Sequence, residues 1–425
     1  VRPGPIQGDM VHPYLRRRSG EEPVDYPHPI LQRTLEKTLG VPIFQEQVMK
    51  LAIDAAGYTP GEADQLRRDM AAWRKQGRID QHHDRIVRRM SERGIPEEFA
   101  ERVFSQIRGF GEYGFPESHS ASFALLAYIT AWIKCHHPAV FACAMLNSQP
   151  MGFYAPSTIV EDAKRHGVEV RPIDVRHSRW DCDLERRDDG ALAVRMGFRY
   201  VKGLGERERE AVAGANPPFE RLEDFVWQTR LGKRPLVALA EAGAFDGFGL
   251  SRRDALWKVR ALASHNRDPM RIEPAGSRAR FEALSEPDAV LWDYRASQHS
   301  PRGHPMARFR GVLRDRGLPD SATLSAMPDG ARTDYVGMVI CRQQPGTESG
   351  VTFFTLEDET GFANLVVWRP VFERHAPLAK SARLLGISGR VQSADGVVHL
   401  VAERLWEPQL PDGDATAAPR SRDFH

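Results

Sequence analysis

The chain has 425 residues, with Lys+Arg 59 against Asp+Glu 57 and a formal net charge of +2 at pH 7. Its length supports about two to four domains at about 100 to 200 residues each. The charge balance excludes a uniformly basic coat, so any anion-binding face must come from local clustering. The four cysteines, Cys135, Cys143, Cys182 and Cys341, form no CxxC pair, which argues against a disulfide framework or a zinc site and for a reducing, cytoplasmic compartment.

Residues 28 to about 165 are expected to be mainly helical. Ile43, Val48, Leu51 and Ala55 recur at helical spacing, and Pro60 with Gly61 punctuates before a helix from Glu62 to Met70. Ile86, Met90, Phe99, Val103, Phe104 and Ile107 continue the amphipathic pattern through a helical pair broken at Gly94 and Pro96. Arg67 and Arg68 close one helical stretch. Adjacent arginines form either a solvated face or a phosphate clamp, because the planar guanidinium matches phosphate oxygens two at a time.

The run from Gly109 to Ala121, GFGEYGFPESHSA, joins a glycine-rich turn to a histidine flanked by hydroxyls and then to a helix. Glycines let the backbone bring its N–H groups near an anion, and Ser118, His119 and Ser120 fall where the helix dipole is positive. The competing reading is a plain helix cap. His119 fits either a phosphate contact or support of the turn. The apolar run 123–133 is interrupted by Thr130 and is shorter than the roughly 20 residues a membrane span needs; it is expected to be a buried helix, and no membrane association is expected. Cys135-His136-His137 invites a metal reading, but neighbours on a helix point in different directions, which favours a structural or surface role.

Around residue 190 the pattern changes. Asp188-Asp189-Gly190 is a turn between short strand-like runs, and Lys202-Gly203-Leu204-Gly205 leads into a charged helix from Glu206. Lys202, Gly203 and Gly205 are candidate DNA-phosphate contacts, since glycines free backbone amides without reading bases; an ordinary turn is the alternative. A degenerate second copy is visible at Leu239 to Asp246. Residues 266–330 read as a connector, with a helix around Val290 to Ser297 and a break at residues 300–305.

From Thr333 to Trp406 the period becomes two. Five strands are expected at 335–340, 351–356, 363–368, 384–391 and 397–401, with a helix over 370–378. That order is the order of an OB-fold, a small barrel that often binds single strands. Phe353, Phe354 and Trp368 stack on bases or fill the core. Glu357-Asp358-Glu359 lies between strands and reads as a solvated loop. The tail, 408–425, is rich in Pro, Ala, Asp and Arg and is expected to be flexible until its end.

Taken together, Arg2-Pro3-Gly4-Pro5, Phe44-Gln45-Glu46-Gln47-Val48-Met49, the run Gly57 to Arg68 and the glycine–histidine segment resemble the fingers of bacterial C-family DNA polymerases, the family of the polymerase III alpha subunit. The resemblance implies a multi-domain α+β chain: fingers over 1–190, a helix-hairpin-helix region over 191–265, a connector over 266–330, an OB-fold over 331–407 and a tail over 408–425. It implies that Arg67, Arg68, Ser118 and His119 bind nucleotide. It also implies that the two Mg²⁺ ions are held by a palm preceding residue 1, so that the chain, which opens on Val1 in mid-motif, is the C-terminal portion of a polymerase and is inactive alone.

Three details are similar to the error-prone, lesion-bypass branch of that family. Pro116-Glu117 stands where replicative members carry Asn and Lys, no clamp-binding peptide is visible, and the chain ends Ser421-Arg422-Asp423-Phe424-His425. The implied partners are primer-template DNA, deoxynucleoside triphosphates and mutasome accessory proteins, one similar to a Y-family polymerase and one RecA-like. The alternatives are a non-catalytic DNA-binding scaffold and a piece of a replicative alpha subunit.

Overall fold

The computed structural model describes residues 11–26, 28–71, 80–109, 116–152, 154–264, 281–344, 350–394, 396–411 and 422–424. The chain divides into two compact units, 1–132 and 133–425. Arg2-Pro3-Gly4-Pro5 and the glycine-rich turn 110–115 lie outside the described residues.

The first unit is helical: α1 (Val11–Ser19), α2 (Pro29–Leu35), α3 (Gln45–Asp54), α4 (Pro60–Ala71), α5 (His83–Ser91), α6 (Glu97–Gly109) and the start of α7 (Glu117–His136). The apolar stripes read from the sequence converge, so that Leu31, Val48, Leu51, Leu66, Met70, Ile86, Met90, Val103 and Ile107 share one core. Gln47 locks the entry to α3. Its carbonyl accepts from the Ile43 and Phe44 amides (2.9 and 3.1 Å) while its amide donates to the Thr34 carbonyl and the Thr38 hydroxyl (3.1 and 2.8 Å), which satisfies every polar atom of a buried side chain. Thr59 and Glu62 cap α4 reciprocally: the Thr59 amide donates to Glu62 at 2.9 Å and the Glu62 amide to the Thr59 hydroxyl at 3.3 Å.

α7 departs from expectation. It is a helix over the apolar run, yet none of its residues is buried, and Phe123, Leu125, Leu126 and Tyr128 are each more than half exposed. The run is apolar around its whole circumference, so a single packing neighbour could not cover it, and none of the described elements does.

The second unit continues through α8 (Pro138–Asn147), α9 (Pro156–Arg165), β1 (Val170–Arg171), β2 (Asp183–Arg186), β3 (Leu192–Arg195), α10 (Glu206–Ala213), α11 (Leu222–Thr229), α12 (Lys233–Glu241), α13 (Arg252–Ala263), α14 (Glu286–Ser297), α15 (Arg310–Asp315) and α16 (Ser321–Ser325). β2 and β3 form the hairpin expected around Gly190, and β1 adds in parallel to β3. One core holds residues on both sides of this hairpin, from Ala139 to Leu262, and Gly190 itself sits exposed at its turn.

The expected barrel follows as β4 (Arg332–Gln343), β5 (Thr352–Glu357), β6 (Phe362–Val367), α17 (Arg369–Arg374), α18 (Ala376–Ser381), β7 (Leu384–Ala394) and β8 (Val397–Trp406). Antiparallel pairs β5–β6, β7–β8, β4–β7 and β4–β5 and the parallel pair β6–β8 close it. The end of the tail, β9 (Arg422–Phe424), adds a sixth strand parallel to β4.

The acidic triplet is not a solvated loop. Glu357 ends β5 at 1 % exposure and Asp358 is fully buried. Asp358 accepts from the Ser321 amide and hydroxyl (both 2.7 Å), the Tyr335 hydroxyl (3.0 Å), the Thr360 amide and hydroxyl (both 2.8 Å), the Gly361 amide (3.2 Å) and Arg310 (3.3 Å). These donors fill both carboxylate oxygens and tie α15 and α16 of the connector to the barrel. A second buried pair, Arg252 to Asp293 at 2.5 Å, joins α13 to α14, with Ser300 donating to the same carboxylate at 2.6 Å.

Two outcomes follow for stability. Asp358→Ala leaves several buried donors without an acceptor and is expected to cost about 3 to 5 kcal/mol in urea unfolding; a destabilisation smaller than about 1 kcal/mol would contradict the hub. Glu357 is different, since burial pushes its carboxyl from 4.5 up to about 8 against the opposing pull of Arg165. Above pH 4.5 the unfolded chain releases that proton while the folded one retains it, so this group's contribution makes stability fall as pH rises toward 8. Glu357→Gln is expected to raise the unfolding midpoint at about pH 8 relative to the parent and to change it little at about pH 5.

Candidate nucleic-acid and nucleotide interface

Arg67 and Arg68 project from the last turns of α4 and share one partner. The two guanidinium groups meet opposite oxygens of Asp64, each Nε at 2.9 Å. Asp64 sits one turn back at i−3 and i−4, where helical geometry brings side chains together. Both arginines, Arg67 first, hold the Asp64 carboxyl below its ordinary range, so the carboxylate stays charged and cancels one of the two positive charges. The side chains of Arg67 and Arg68 are 38 % and 67 % exposed, which leaves the outer edges of both forks open to a ligand.

Ser118 and His119 lie inside the first turn of α7, both exposed. The helix begins at Glu117, so neither is its cap. The Glu117 amide donates instead to Glu46 of α3 at 2.9 Å, and Lys37 lies 3.4 Å from the Glu117 carboxylate. The His119 ring packs on Phe123 with centroids 4.4 Å apart. Thus the arginine pair and the serine–histidine pair occupy two separate helices of the same unit.

The hairpin 202–205 has the shape expected but its donors are engaged. Gly203 takes φ +89, the left-handed conformation that favours glycine. The Gly205 amide donates to Glu208 at 2.8 Å, and Glu206 and Glu208 make the first turn of α10 acidic. Lys202 donates its ammonium to the Arg295 carbonyl at 2.6 Å and its amide to the Ala296 carbonyl at 2.9 Å, at the C-terminal end of α14, where carbonyl dipoles favour a cation. Burial lowers its pKa. These bonds give Lys202 a structural duty. The copy at 239–246 is also occupied: Leu239, Ala240, Ala244 and Phe245 are core, and a Cβ at Gly243 would lie 2.8 Å from the Arg252 guanidinium.

A hairpin that the sequence pattern did not single out suits an anion better. α11 ends at Thr229, Arg230 takes φ 47, and Gly232 precedes α12. Arg230, Gly232, Lys233 and Arg234 are all exposed. The Gly232 N-cap has no side-chain hydrogen bond, and among the described residues the amides of Gly232, Lys233 and Arg234 and the three cationic side chains meet no partner. A helix N-terminus with open amides and three unshared cations attracts phosphate through dipole and charge together. The signal was present as Arg-Leu-Gly-Lys-Arg between two amphipathic helices, but it lacks the GxG string that marks residues 203–205.

In the barrel, Phe354 is core, edge-on to Phe372 at 6.4 Å, whereas Trp368 is 48 % exposed. Phe353 and Thr355 alternate outward from Phe354 on β5 and pair with Val366 and Asn364 of β6. A cavity of about 570 Å³ beside these strands is lined by Gln344, Thr352, Arg369, Phe372 and Lys380 among others. Among the described residues no group of three His, Cys, Asp or Glu side chains could hold a metal ion, and no helix is long and apolar enough to cross a membrane.

Three family descriptions match. Residues 1–94 match the bacterial DNA polymerase III alpha subunit finger domain, residues 167–255 a helix-hairpin-helix motif and residues 336–407 an OB-fold nucleic acid binding domain. The whole chain is 50% identical to 42% of an error-prone DNA polymerase from Alkalilimnicola ehrlichii, and 49% identical to 42% of one from Methylococcus capsulatus. It is 46% identical to 41% of one from Pseudomonas aeruginosa. The chain therefore spans about two fifths of the length of these relatives.

Charge reversal of the open hairpin, Arg230→Glu with Lys233→Glu and Arg234→Glu, is expected to weaken duplex DNA binding at least about tenfold near 0.1 M salt. The slope of log affinity against log salt should become shallower by about one for each phosphate that the variant no longer neutralises. Lys202→Met should leave that slope unchanged while lowering thermal stability by about 1 kcal/mol. An unchanged slope in the triple variant would remove this hairpin from the interface.

Proposed function

We propose that this chain, which belongs to the C family of bacterial DNA polymerases and within it to the error-prone branch, is a nucleotide- and DNA-handling part of a polymerase acting in translesion synthesis. The observation that carries the reading is the order of modules, fingers then helix-hairpin-helix then OB-fold, with relatives of one name matched along the entire chain. In the proposed division of labour the finger unit meets the incoming deoxynucleoside triphosphate through Arg67 and Arg68. Two guanidinium forks held by one carboxylate are pre-oriented, so little side-chain entropy remains to be lost on binding phosphate. Ser118 and His119 are proposed to assist from the start of α7, where hydroxyl and imidazole donors suit phosphate oxygens.

The helix-hairpin-helix unit is proposed to grip the primer-template backbone through Arg230, Gly232, Lys233 and Arg234, with no reading of bases. Gly203 and Gly205 are a lesser surface, since a phosphate must first displace Glu208 from the Gly205 amide. Single-stranded template is proposed to run over the outward face of β5 and β6, where Phe353 and Trp368 offer stacking surfaces. Recruitment by accessory proteins, one similar to a Y-family polymerase and one RecA-like, completes the proposal, as does a cytoplasmic site of action.

The implied reaction joins a primer 3′-hydroxyl to the α-phosphate and releases pyrophosphate. Two Mg²⁺ ions supply electrostatic stabilisation in such a transfer when bound. The described side chains do not fit them, for they gather no triad of ligands, and no step through the metal is assigned to these residues. We place the metal-binding carboxylates in polymerase residues beyond this sequence. The check is primer extension by the purified chain with Mg²⁺ and all four deoxynucleoside triphosphates: no incorporation is expected, although the same preparation retards primer-template DNA. Robust extension would overturn the placement.

A further inference from the structure

Asp64 orients the guanidinium groups of Arg67 and Arg68 relative to α4, but all three residues ride on that helix, so the cluster cannot fix where the helix itself stands. The apolar stripe of α4, Ala63, Leu66 and Met70, is fully buried in the core of the finger unit. Such a stripe decides which face points inward. It is less exacting about small slides and rotations, because apolar attraction has no direction.

A directional set of contacts meets the arginine-bearing end of α4. Asp69 is buried, one residue past Arg68. Its Oδ1 accepts from the Gln65 amide, one turn back, at 3.0 Å. Its Oδ2 lies 3.1 Å from Nε2 of His82, which stands in the short 3-10 turn Asp80–His82 that enters α5. A carboxylate only accepts, so Nε2 carries the proton and Nδ1 of the neutral ring is the acceptor. The Tyr58 hydroxyl stands 3.2 Å from that Nδ1. Tyr58 is itself anchored: its amide donates to the Ala52 carbonyl of α3 at 2.9 Å, and its buried ring lies under the Arg85 guanidinium of α5, 4.6 Å from the centroid. A line of hydrogen bonds therefore runs from the end of α3 through Tyr58 and His82 to the last turns of α4.

Helical positions step by about 100°, so Asp69 faces nearly opposite to Arg67, two residues before it. Any displacement of Asp69 turns the arginine pair with it. A hydrogen bond weakens steeply once its angle falls below about 120°, so the two bonds at His82 leave this end of α4 little freedom to rotate or slide. Resting on the reading of Arg67 and Arg68 as contacts to the triphosphate, we propose that Tyr58, His82 and Asp69 are positioning residues for the incoming nucleotide. They set the height and rotation of the last turns of α4, and so the direction in which the open edges of the two guanidinium groups face. None of the three touches the nucleotide; their effect passes through the arginines.

The test titrates deoxyadenosine triphosphate into the full chain by calorimetry. Tyr58→Phe removes one hydroxyl and keeps the ring under Arg85, and it is expected to weaken binding at least about fivefold. His82→Leu removes both bonds and should weaken it at least about tenfold, whereas His82→Gln, whose amide sets an acceptor and a donor on one carbon, should return it to within about twofold of the parent. Should His82→Leu fail to fold, Tyr58→Phe and His82→Gln decide the matter. A cycle separates positioning from loosened packing: in a background of Arg67→Lys with Arg68→Lys, which keeps both charges and lacks the planar forks, Tyr58→Phe should change the affinity by less than about twofold. An equal loss in both backgrounds would overturn the relay. If the parent does not bind the triphosphate, or if binding survives Arg67→Ala with Arg68→Ala, the triphosphate reading fails and the relay falls with it. If the arginine variant loses binding while Tyr58→Phe keeps it, the relay alone falls.

Discussion

The carboxylate of Asp358 is the point on which the second half of the molecule depends. It stands at the turn between β5 and β6 with no exposure to solvent and is reached by donors from α15, α16, β4 and its own turn. A buried polar group is costly unless its acceptor capacity is filled, and here the donors from α15 and α16 come from elements that would otherwise be loosely attached. The connector residues 305–325 are short helical pieces with little core of their own. Met306, Phe309 and Leu313 pack on Val336 and Met338 of the barrel, and the Asp358 network fixes the register in which they do so. Arg252 with Asp293 serves the same purpose farther upstream, between α13 and α14.

Such networks were the part of the fold least legible in the sequence. Periodicity located the finger-unit helices from residue 28 onward, though not α1, and all five barrel strands, because a stripe of apolar residues at period 3.6 or 2 is written directly in the order of residues. Burial of a polar side chain is not. Glu357-Asp358-Glu359 has the composition of a solvated loop, and only the approach of Ser321 and Arg310, distant along the chain, turns Asp358 into a hub. The helix over 123–133 erred the other way, since apolar composition shows what a helix wants to cover and leaves open which surface does so.

The site was legible in the same uneven way. Arg67 and Arg68 announce themselves as a pair, and the structure adds that Asp64 holds both. At Lys202-Gly203-Leu204-Gly205 the pattern named the right backbone shape but not its chemistry, because Glu208 and the end of α14 had already claimed the donors. The hairpin at Arg230–Arg234 has no second glycine to draw attention. Its fitness for phosphate lies in what is missing around it among the described residues, namely a capping carboxylate, and absence of a neighbour cannot be read from a string of letters.

Near-neutral net charge makes that absence decisive. With 59 basic and 57 acidic side chains, bulk charge offers a polyanion little, and an arginine already paired gains little from a phosphate that must first break the existing pair. Arg67 and Arg68 together offer about one net charge over Asp64, and the Lys202 ammonium is tied to a backbone carbonyl. Arg230, Lys233 and Arg234 carry three charges with no acidic partner among the described residues, at the positive end of a helix. In a chain whose charges nearly cancel, local affinity for a polyanion is raised where unshared cations stand beside open helix amides, as they do at the hairpin 230–234.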